Sequence, residues 1–350
     1  MVLDVCRASA ANGLDAMVVS MGGGRLEQEF ADSGVEFVRL RRRMPLDLQC
    51  VHRLRSIIRK RNVAVVHSHQ AVETIHSLFA TMGTPAKRVQ TIHGYAYDLK
   101  TRAALRFLMP RVDANIAVSS SFLDIFRQTY HPPATSRFVV VDNGVDPAKL
   151  DAKTPLLRTE LGMKHDEILA GMVANFWRWK DQLTVCTALN SVLAEVPNLK
   201  FVFVGSKFRG APYLYENCVR YCKAHDLQDR VFFLGERSDV GNILHSLDLF
   251  VLSSVQDTFG IAVVEAMIAG IPTLISDIPP FVEISRNGKW SRLFKVGNPT
   301  DLATQLIDLL SHPQEAKLLA NTARAGALQE YTIDRHISRL KDLYGSLAGQ

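Results

Sequence analysis

The stretch Ser253-Ser-Val-Gln-Asp-Thr-Phe-Gly-Ile-Ala-Val-Val-Glu-Ala-Met267 decides how this chain is read. It follows a short aliphatic run, Leu249–Leu252, passes through polar residues and a glycine, and becomes apolar at helical spacing. That is the order strand, loop, helix. Asp257 lies in the loop, Gly260 opens the helix, and Glu265 lies within it. In a parallel α/β sheet, a carboxylate after a strand and another one turn into the next helix can both face a crevice at the carboxyl edge. Free N–H groups at a helix start attract a diphosphate, and a residue as small as Gly260 lets phosphate oxygens approach. An ordinary strand–loop–helix unit carrying surface acids is the plain alternative.

Outward from this stretch, short β-branched runs alternate with amphipathic segments along the chain. The predicted strands are Ala16–Ser20, Val35–Leu40, Val63–His67, Arg88–Ile92, Ala114–Val118 and Phe138–Val141, then Ile168–Val173, Lys200–Val204, Val231–Leu234, Leu249–Leu252 and Pro272–Ile275. Helix-length segments such as Val51–Arg61 and Leu183–Val196 lie between them, and Ile333–Leu347 reads as a closing helix. Nearly continuous apolar strands separated by helices predict parallel sheets covered on both faces, hence two doubly wound α/β domains. The break falls where turn residues cluster, at Asn143-Gly-Val-Asp-Pro147. The chain opens in a helix-like segment, Val2–Asn12, with no strand before it, although a doubly wound domain normally begins with a strand in mid-sheet.

Composition excludes several classes. With 350 residues, 47% hydrophobic and 22% charged, the chain is long enough for two domains and too apolar to be disordered. The longest nearly apolar stretch, Phe259–Ile275, holds Glu265 and Pro272 and is not a membrane span. The N-terminus has no secretory signal pattern, and five cysteines without a framework suit a reducing compartment, so a cytoplasmic location is expected. The net charge of +6 sits in the first half, where residues 1–147 hold 19 Lys+Arg against 13 Asp+Glu. The excess concentrates in Arg39–Arg43 and Arg53–Arg61. It suits either a solvated basic face or docking to an anionic membrane surface, which would make the protein peripheral at the inner face of the membrane. No groove-reading or aromatic-interleaved motif accompanies it, so a nucleic-acid partner is not expected.

A second element is Gly171-Met-Val-Ala-Asn-Phe-Trp-Arg-Trp-Lys-Asp181. A strand ends and a helix begins around two cations, Arg178 and Lys180. Fixed cations facing a departing nucleoside diphosphate stabilise the transition state more than the ground state. Cations at a helix start are disfavoured by the helix dipole, which implies a compensating anion, with a solvated cation pair as the plain alternative.

These two elements resemble glycosyltransferase family 4, of the GT-B fold. The family's acid, seven residues, then Glu pattern stands here as Asp257-Thr-Phe-Gly through Glu265-Ala-Met-Ile-Ala-Gly-Ile-Pro272. HSHQ at His67–Gln70, TIHGY at Thr91–Tyr95, AVSS at Ala117–Ser120, VDNGVD at Val141–Asp146, FVFVG at Phe201–Gly205, VFFLGE at Val231–Glu236 and SDI at Ser276–Ile278 follow in family order. The resemblance implies two Rossmann-like doubly wound domains facing a central cleft. Residues 1–147 would form an acceptor-side domain, 148–330 a donor-nucleotide domain, and 331–350 a helix crossing back to the first. It implies a retaining, metal-independent hexosyltransferase that needs no cofactor. The enzyme would move a hexosyl or N-acetylhexosaminyl group from a nucleotide-diphosphate sugar, a UDP-sugar by expectation, to a saccharide or lipid-linked acceptor in polysaccharide synthesis.

By the same resemblance, Asp257 stands near the donor sugar, His93 beside the transferred group, and Arg178 and Lys180 on the diphosphate. Glu265 holds the ribose hydroxyls. Thr258, Phe259, Gly260 and Ile261 supply the backbone around the phosphates, and the backbone near Glu236 and Arg237 reads the base. Asn175 and Gly205 complete the donor-binding set. Three features depart from the family. Its first acid is usually Glu and is Asp257 in this chain. The Arg usually found five residues before the Lys is Asn175. Its first strand and glycine-rich loop have no counterpart, because Gly22-Gly-Gly24 follows the second family strand. This last departure points to a start assigned downstream of the true one or to a truncated product. It keeps a second reading open, a catalytically impaired sugar-nucleotide-binding or partner protein. A sugar-nucleotide 2-epimerase is a third.

Other signals carry less. His67 and His69 share a strand end, yet a third metal ligand is missing nearby, so cleft histidines held by hydrogen bonds are expected. Cys218 and Cys222 read as a buried thiol face. No Asp-x-Asp occurs to hold a cation on a diphosphate. Trp177, Trp179 and Trp290 are open between stacking on a ligand and packing.

Overall fold

The apolar runs become strands within one or two residues of the boundaries expected from sequence. The computed structural model describes residues 1–151 and 156–349. They divide into two compact units, one of Met1–Val145 with Ile333–Gln350 and one of Asp146–Thr332.

In the first unit the elements run α1 (Val2–Ser9), β1 (Met17–Ser20), α2 (Glu27–Ala31), β2 (Glu36–Arg39), α3 (Leu48–Lys60), β3 (Val65–Ser68), α4 (Ala71–Thr81), β4 (Lys87–Ile92), α5 (Leu99–Leu108), β5 (Ala114–Ala117), α6 (Ser120–Tyr130) and β6 (Phe138–Val140). The strands pair in parallel as two ladders, β1-β2 and β3-β4-β5-β6. One core joins the ladders, with Met21, Leu40, Cys50, Leu54 and Ile58 buried together and Val19, Val38 and Val66 packed on them. The inward residues of α3 fall at positions 50, 54 and 58, a helical stripe that turns its arginines outward.

α1 ends at Ser9, short of the expected Asn12, because Ala10–Gly13 turns, with Gly13 at φ +61. The closing helix α15 (Ile333–Ala348) belongs to this unit. Its Leu340 and Leu343 are buried against Val89, Ala114, Ile116 and Val141 of the four-stranded ladder. Arg339 donates to Asp142 at 2.5 Å, and Asn12 and Lys341 tie α15 to the end of α1.

The second unit runs α7 (Leu156–Glu160), β7 (Ile168–Val173), α8 (Gln182–Glu195), β8 (Leu199–Val204), α9 (Tyr213–Ala224), β9 (Val231–Gly235), α10 (Val240–Ser246), β10 (Leu249–Leu252), α11 (Ile261–Ala269), β11 (Thr273–Ser276), α12 (Pro279–Ile284), β12 (Arg292–Phe294), α13 (Pro299–Ser311) and α14 (Pro313–Glu330). Its six strands are parallel in the order β12-β11-β10-β7-β8-β9. Taken from β9, this is the 3-2-1-4-5-6 order of a doubly wound nucleotide-binding sheet, whose direction of winding reverses between β7 and β10. β12 has no counterpart among the strands expected from sequence. Three residues with an arginine among them carry no apolar run, and the strand exists through its pairing with β11. Among the described residues, no helix is long and apolar enough to cross a membrane.

Candidate active site

The reversal point positions the chemistry. Strands β7 and β10 lie side by side, so the loops leaving their carboxyl ends meet. Backbone hydrogen bonds join them, Val255 N–H to Trp179 O at 2.9 Å and Asp181 N–H to Ser253 O at 3.0 Å. The joined loops bring Lys180 from one and Asp257 from the other into an ion pair, Nζ to Oδ2 at 2.5 Å. Both side chains are about one-fifth exposed, at 22% and 18%. The other oxygen of Asp257 accepts from the backbone N–H groups of Thr258 at 2.8 Å and Phe259 at 3.4 Å. The compensating anion expected beside the cations is therefore Asp257 itself. Its carboxylate takes up three donors expected, from the resemblance, to face a diphosphate: one ammonium and two amides.

Gly260 caps α11 with φ +104, where an added Cβ would lie 2.7 Å from Phe281 Cε1 and 3.0 Å from Ile284 Cδ1. Only glycine fits both that conformation and that space. It lets the chain turn from Asp257 into a helix whose first N–H groups, beginning with Ile261, have no partners within the helix. Glu265 lies one turn inside α11 and is partly buried.

The remaining expected residues of this unit fall around the same edge. Arg178 is exposed, with its guanidinium 4.7 Å from the ring centre of Trp179 and 5.7 Å from that of Trp177. Trp177 meets Phe208 edge-on at 4.0 Å. The tryptophans thus hold the arginine and shape the loop. Asn175 spends its amide oxygen on Ser206, accepting from its N–H at 2.8 Å and its hydroxyl at 2.9 Å. Gly205, at the end of β8, stands where any Cβ would run into Ala174 O, so the loops after β7 and β8 close on each other there. Glu236 is exposed after β9. The guanidinium of Arg237 is held by Asp239 at 2.6 and 2.8 Å and by Glu160 at 2.7 Å, which leaves its backbone rather than its fork to meet a ligand. Those pairings hold Asp239 well below the usual carboxylate range. Trp290, partly buried, packs on Gly326 and meets Tyr331 edge-on.

His93 lies in the first unit, after β4. There it closes a row of imidazoles at the carboxyl edge of the sheet. His69 Nδ1 and His93 Nε2 share a hydrogen bond of 2.9 Å, and His67 stacks on His69 at 4.4 Å. His67 in turn bonds Tyr344 of α15 at 2.6 Å and Thr91 at 2.7 Å. The hydrogen bonds expected for the HSHQ histidines thus come from the neighbouring strand β4 with the residue that follows it, and from a helix 277 residues away. Among the described residues no three His, Cys, Asp or Glu side chains converge as metal ligands. Cys186 of α8 joins Cys218 and Cys222 of α9 as a buried thiol cluster.

Burial, with His69, His336 and His93 close by, pushes the His67 imidazole well below its ordinary range, and burial brings His69 down to about 3. In the unfolded chain both rings take up protons at about pH 6.5, while the folded rings stay neutral. The unfolded chain then binds more protons, so stability is full above about pH 6.5 and falls as pH drops toward about 3, by up to ~1.4 kcal/mol per pH unit for each ring. The melting midpoint of the first unit is expected to drop between pH 7 and pH 5, and to drop less when His67 and His69 are both Gln. An identical acid shift in that variant would refute a histidine origin.

Residues 1–149 match the family model described as Glycosyltransferase Family 4, and residues 153–326 match the one described as Glycosyl transferases group 1. The chain is 25% identical over 312 residues to an N-acetyl-alpha-D-glucosaminyl L-malate synthase of Bacillus anthracis, covering 86% of this chain and 79% of that protein. It is 24% identical over 314 residues to the UDP-Gal:alpha-D-GlcNAc-diphosphoundecaprenol alpha-1,3-galactosyltransferase of Escherichia coli, covering 85% and 79%. In fold it is similar to a glycosyltransferase from Rickettsia africae, with a TM-score of 0.87 at 19% identity over 99% of this chain and 93% of that one. It is also similar to Anabaena HepE in complex with UDP and glucose, with a TM-score of 0.83 at 19% identity over 98% and 96%.

Proposed function

The chain belongs to glycosyltransferase group 1 / family 4, a GT-B family that acts without metal ions, and from that premise we propose its donor, its acceptor class and the residues that carry transfer. The donor is a UDP-sugar, and the group moved is a hexosyl or N-acetylhexosaminyl residue. The acceptor is a saccharide or lipid-linked saccharide of a cell-surface glycan, taken by the N-terminal unit. Anomeric configuration is retained. The hydroxyl of the acceptor bonds to the anomeric carbon on the face the diphosphate leaves, and a leaving phosphate oxygen takes its proton.

The observation that carries this reading is the Lys180–Asp257 pair at the winding reversal, next to the start of the helix that holds Glu265. A fixed ammonium and the open start of α11 suit a leaving diphosphate, whose charge grows as the glycosidic bond breaks. Arg178 adds a second cation, and Glu265 accepts from the ribose hydroxyls. The names of the relatives support the donor class: one transfers from UDP-Gal, another is an N-acetylglucosaminyl enzyme, and the HepE complex holds UDP.

Titration of the chain with UDP, GDP and ADP, followed by thermal shift, tests the donor. UDP is expected to raise the melting temperature well above the other two. Glu265→Gln is expected to weaken UDP binding by about tenfold, the value of one charge-assisted hydrogen bond, with kcat largely spared. A chain indifferent to all three nucleotides would sink the donor proposal. An unaltered UDP affinity in the variant would remove Glu265 from the ribose.

A further inference from the structure

The basic run of the first unit does not behave uniformly. Its ends are neutralised, Arg39 by Glu27 at 2.9 Å and Arg61 by Glu36 at 2.7 Å. Between them, the side chains of Arg41, Arg42, Arg43, Arg53, Arg59 and Lys60 enter no hydrogen bond or ion pair among the described residues, and all six are exposed. No acidic residue but Asp47 lies between Arg39 and Arg61, and it is buried.

Three aliphatic side chains stand among these cations. Met44 is 59% exposed, Leu48 71% and Leu46 36%. Their loop is held in shape from below. Asp47 caps α3 through the N–H groups of Gln49 and Cys50 and also accepts from Arg43 N–H at 2.9 Å, while its own N–H donates to His76 Nε2 at 3.0 Å. Cys50, Leu54 and Ile58 seat the helix in the core, so its charged face is fixed outward. Apolar tips held in water by a buried cap, inside a ring of cations, are costly unless something covers them.

We infer that Arg41–Leu48 with the outer face of α3 is a docking surface for an anionic bilayer. The cations meet lipid phosphates while Met44, Leu46 and Leu48 enter the headgroup boundary. An RNA backbone would use the same charges but has no use for aliphatic tips, and residues 39–61 contain no Phe, Trp or Tyr on which a base could stack. The inference stands apart from the donor proposal, although it suits a lipid-linked acceptor.

Co-sedimentation with vesicles tests it, using phosphatidylcholine alone and phosphatidylcholine doped with phosphatidylglycerol. The chain is expected to sediment with the doped vesicles at low salt and at least about tenfold more weakly with the neutral ones. The triple variant Met44→Ser, Leu46→Ser, Leu48→Ser is expected to lose about tenfold on doped vesicles, and Arg41→Ser, Arg42→Ser, Arg43→Ser at least as much. Both keep the buried cap, so their melting temperatures and responses to UDP should match the parent chain. That readout separates failure of the docking surface from failure of the donor proposal. A serine triple that stays on the vesicles as the parent does, or single-stranded RNA bound as tightly as the doped vesicles, overturns the assignment.

Discussion

Replacing Lys180 with Ala is expected to lower kcat/KM for transfer by about a hundredfold to a thousandfold, the scale on which one preorganised charge stabiliser acts, about 3–4 kcal/mol. Most of the loss should fall on kcat, because the ammonium meets the most charge when the glycosidic bond is breaking. UDP affinity should fall as well, since the product carries the same diphosphate. Lys180→Arg restores the charge without the shape of the ammonium, and it is expected to recover binding better than turnover. Steady-state kinetics with the natural donor, beside UDP titration, separate these terms. Kinetics equal to those of the parent chain would place Lys180 outside the site.

Asp257→Asn should move binding and turnover in opposite directions. Its carboxylate is the partner of Lys180 at 2.5 Å and of the amides of Thr258 and Phe259. On the proposed donor site, an incoming diphosphate would compete with a resident anion. The neutral amide removes that competitor at nearly constant volume, and UDP is expected to bind about fivefold to tenfold more tightly, the value of one partly buried pair. Transfer should nevertheless fall about a hundredfold, because the carboxylate proposed to stand beside the donor sugar is lost along with the competitor. Calorimetric titration and turnover on one preparation decide the matter. UDP affinity that falls together with turnover would make Asp257 an organiser of the loop and not a rival of the diphosphate.

The sequence is most legible where a pattern is local. Strands buried on both faces are continuous apolar runs, so Ile168–Val173 and Leu249–Leu252 can be read to the residue. A strand made by its neighbour, such as Arg292–Phe294, leaves no such run and escapes a reading of apolar patterns. The motif from Asp257 to Glu265 points to phosphate chemistry, and the need for an anion beside Lys180 is legible from the helix dipole. Which anion it is depends on the adjacency of β7 and β10, a fact of strand order that spacing does not encode. The same holds for Arg237, whose fork is occupied by Glu160 from a distant helix, and for Trp290, assigned to packing by Gly326 beneath it. His67 and His69 are held by hydrogen bonds as their spacing suggests, but Tyr344 reaches His67 only because α15 lies on this sheet.

That placement of α15 also governs how the polypeptide matures. Residues 146–332 form one contiguous stretch, so the second unit holds its whole strand set once Thr332 has left the ribosome. The first unit is synthesised earlier yet lacks its last helix until Ile333–Ala348 emerge. For that interval Val89, Ala114, Ile116 and Val141 have no α15 to cover them. An apolar sheet face left open during synthesis invites wrong pairing, at translation speeds that leave many seconds for it. The earlier-made half of this enzyme is thus the later-finished one.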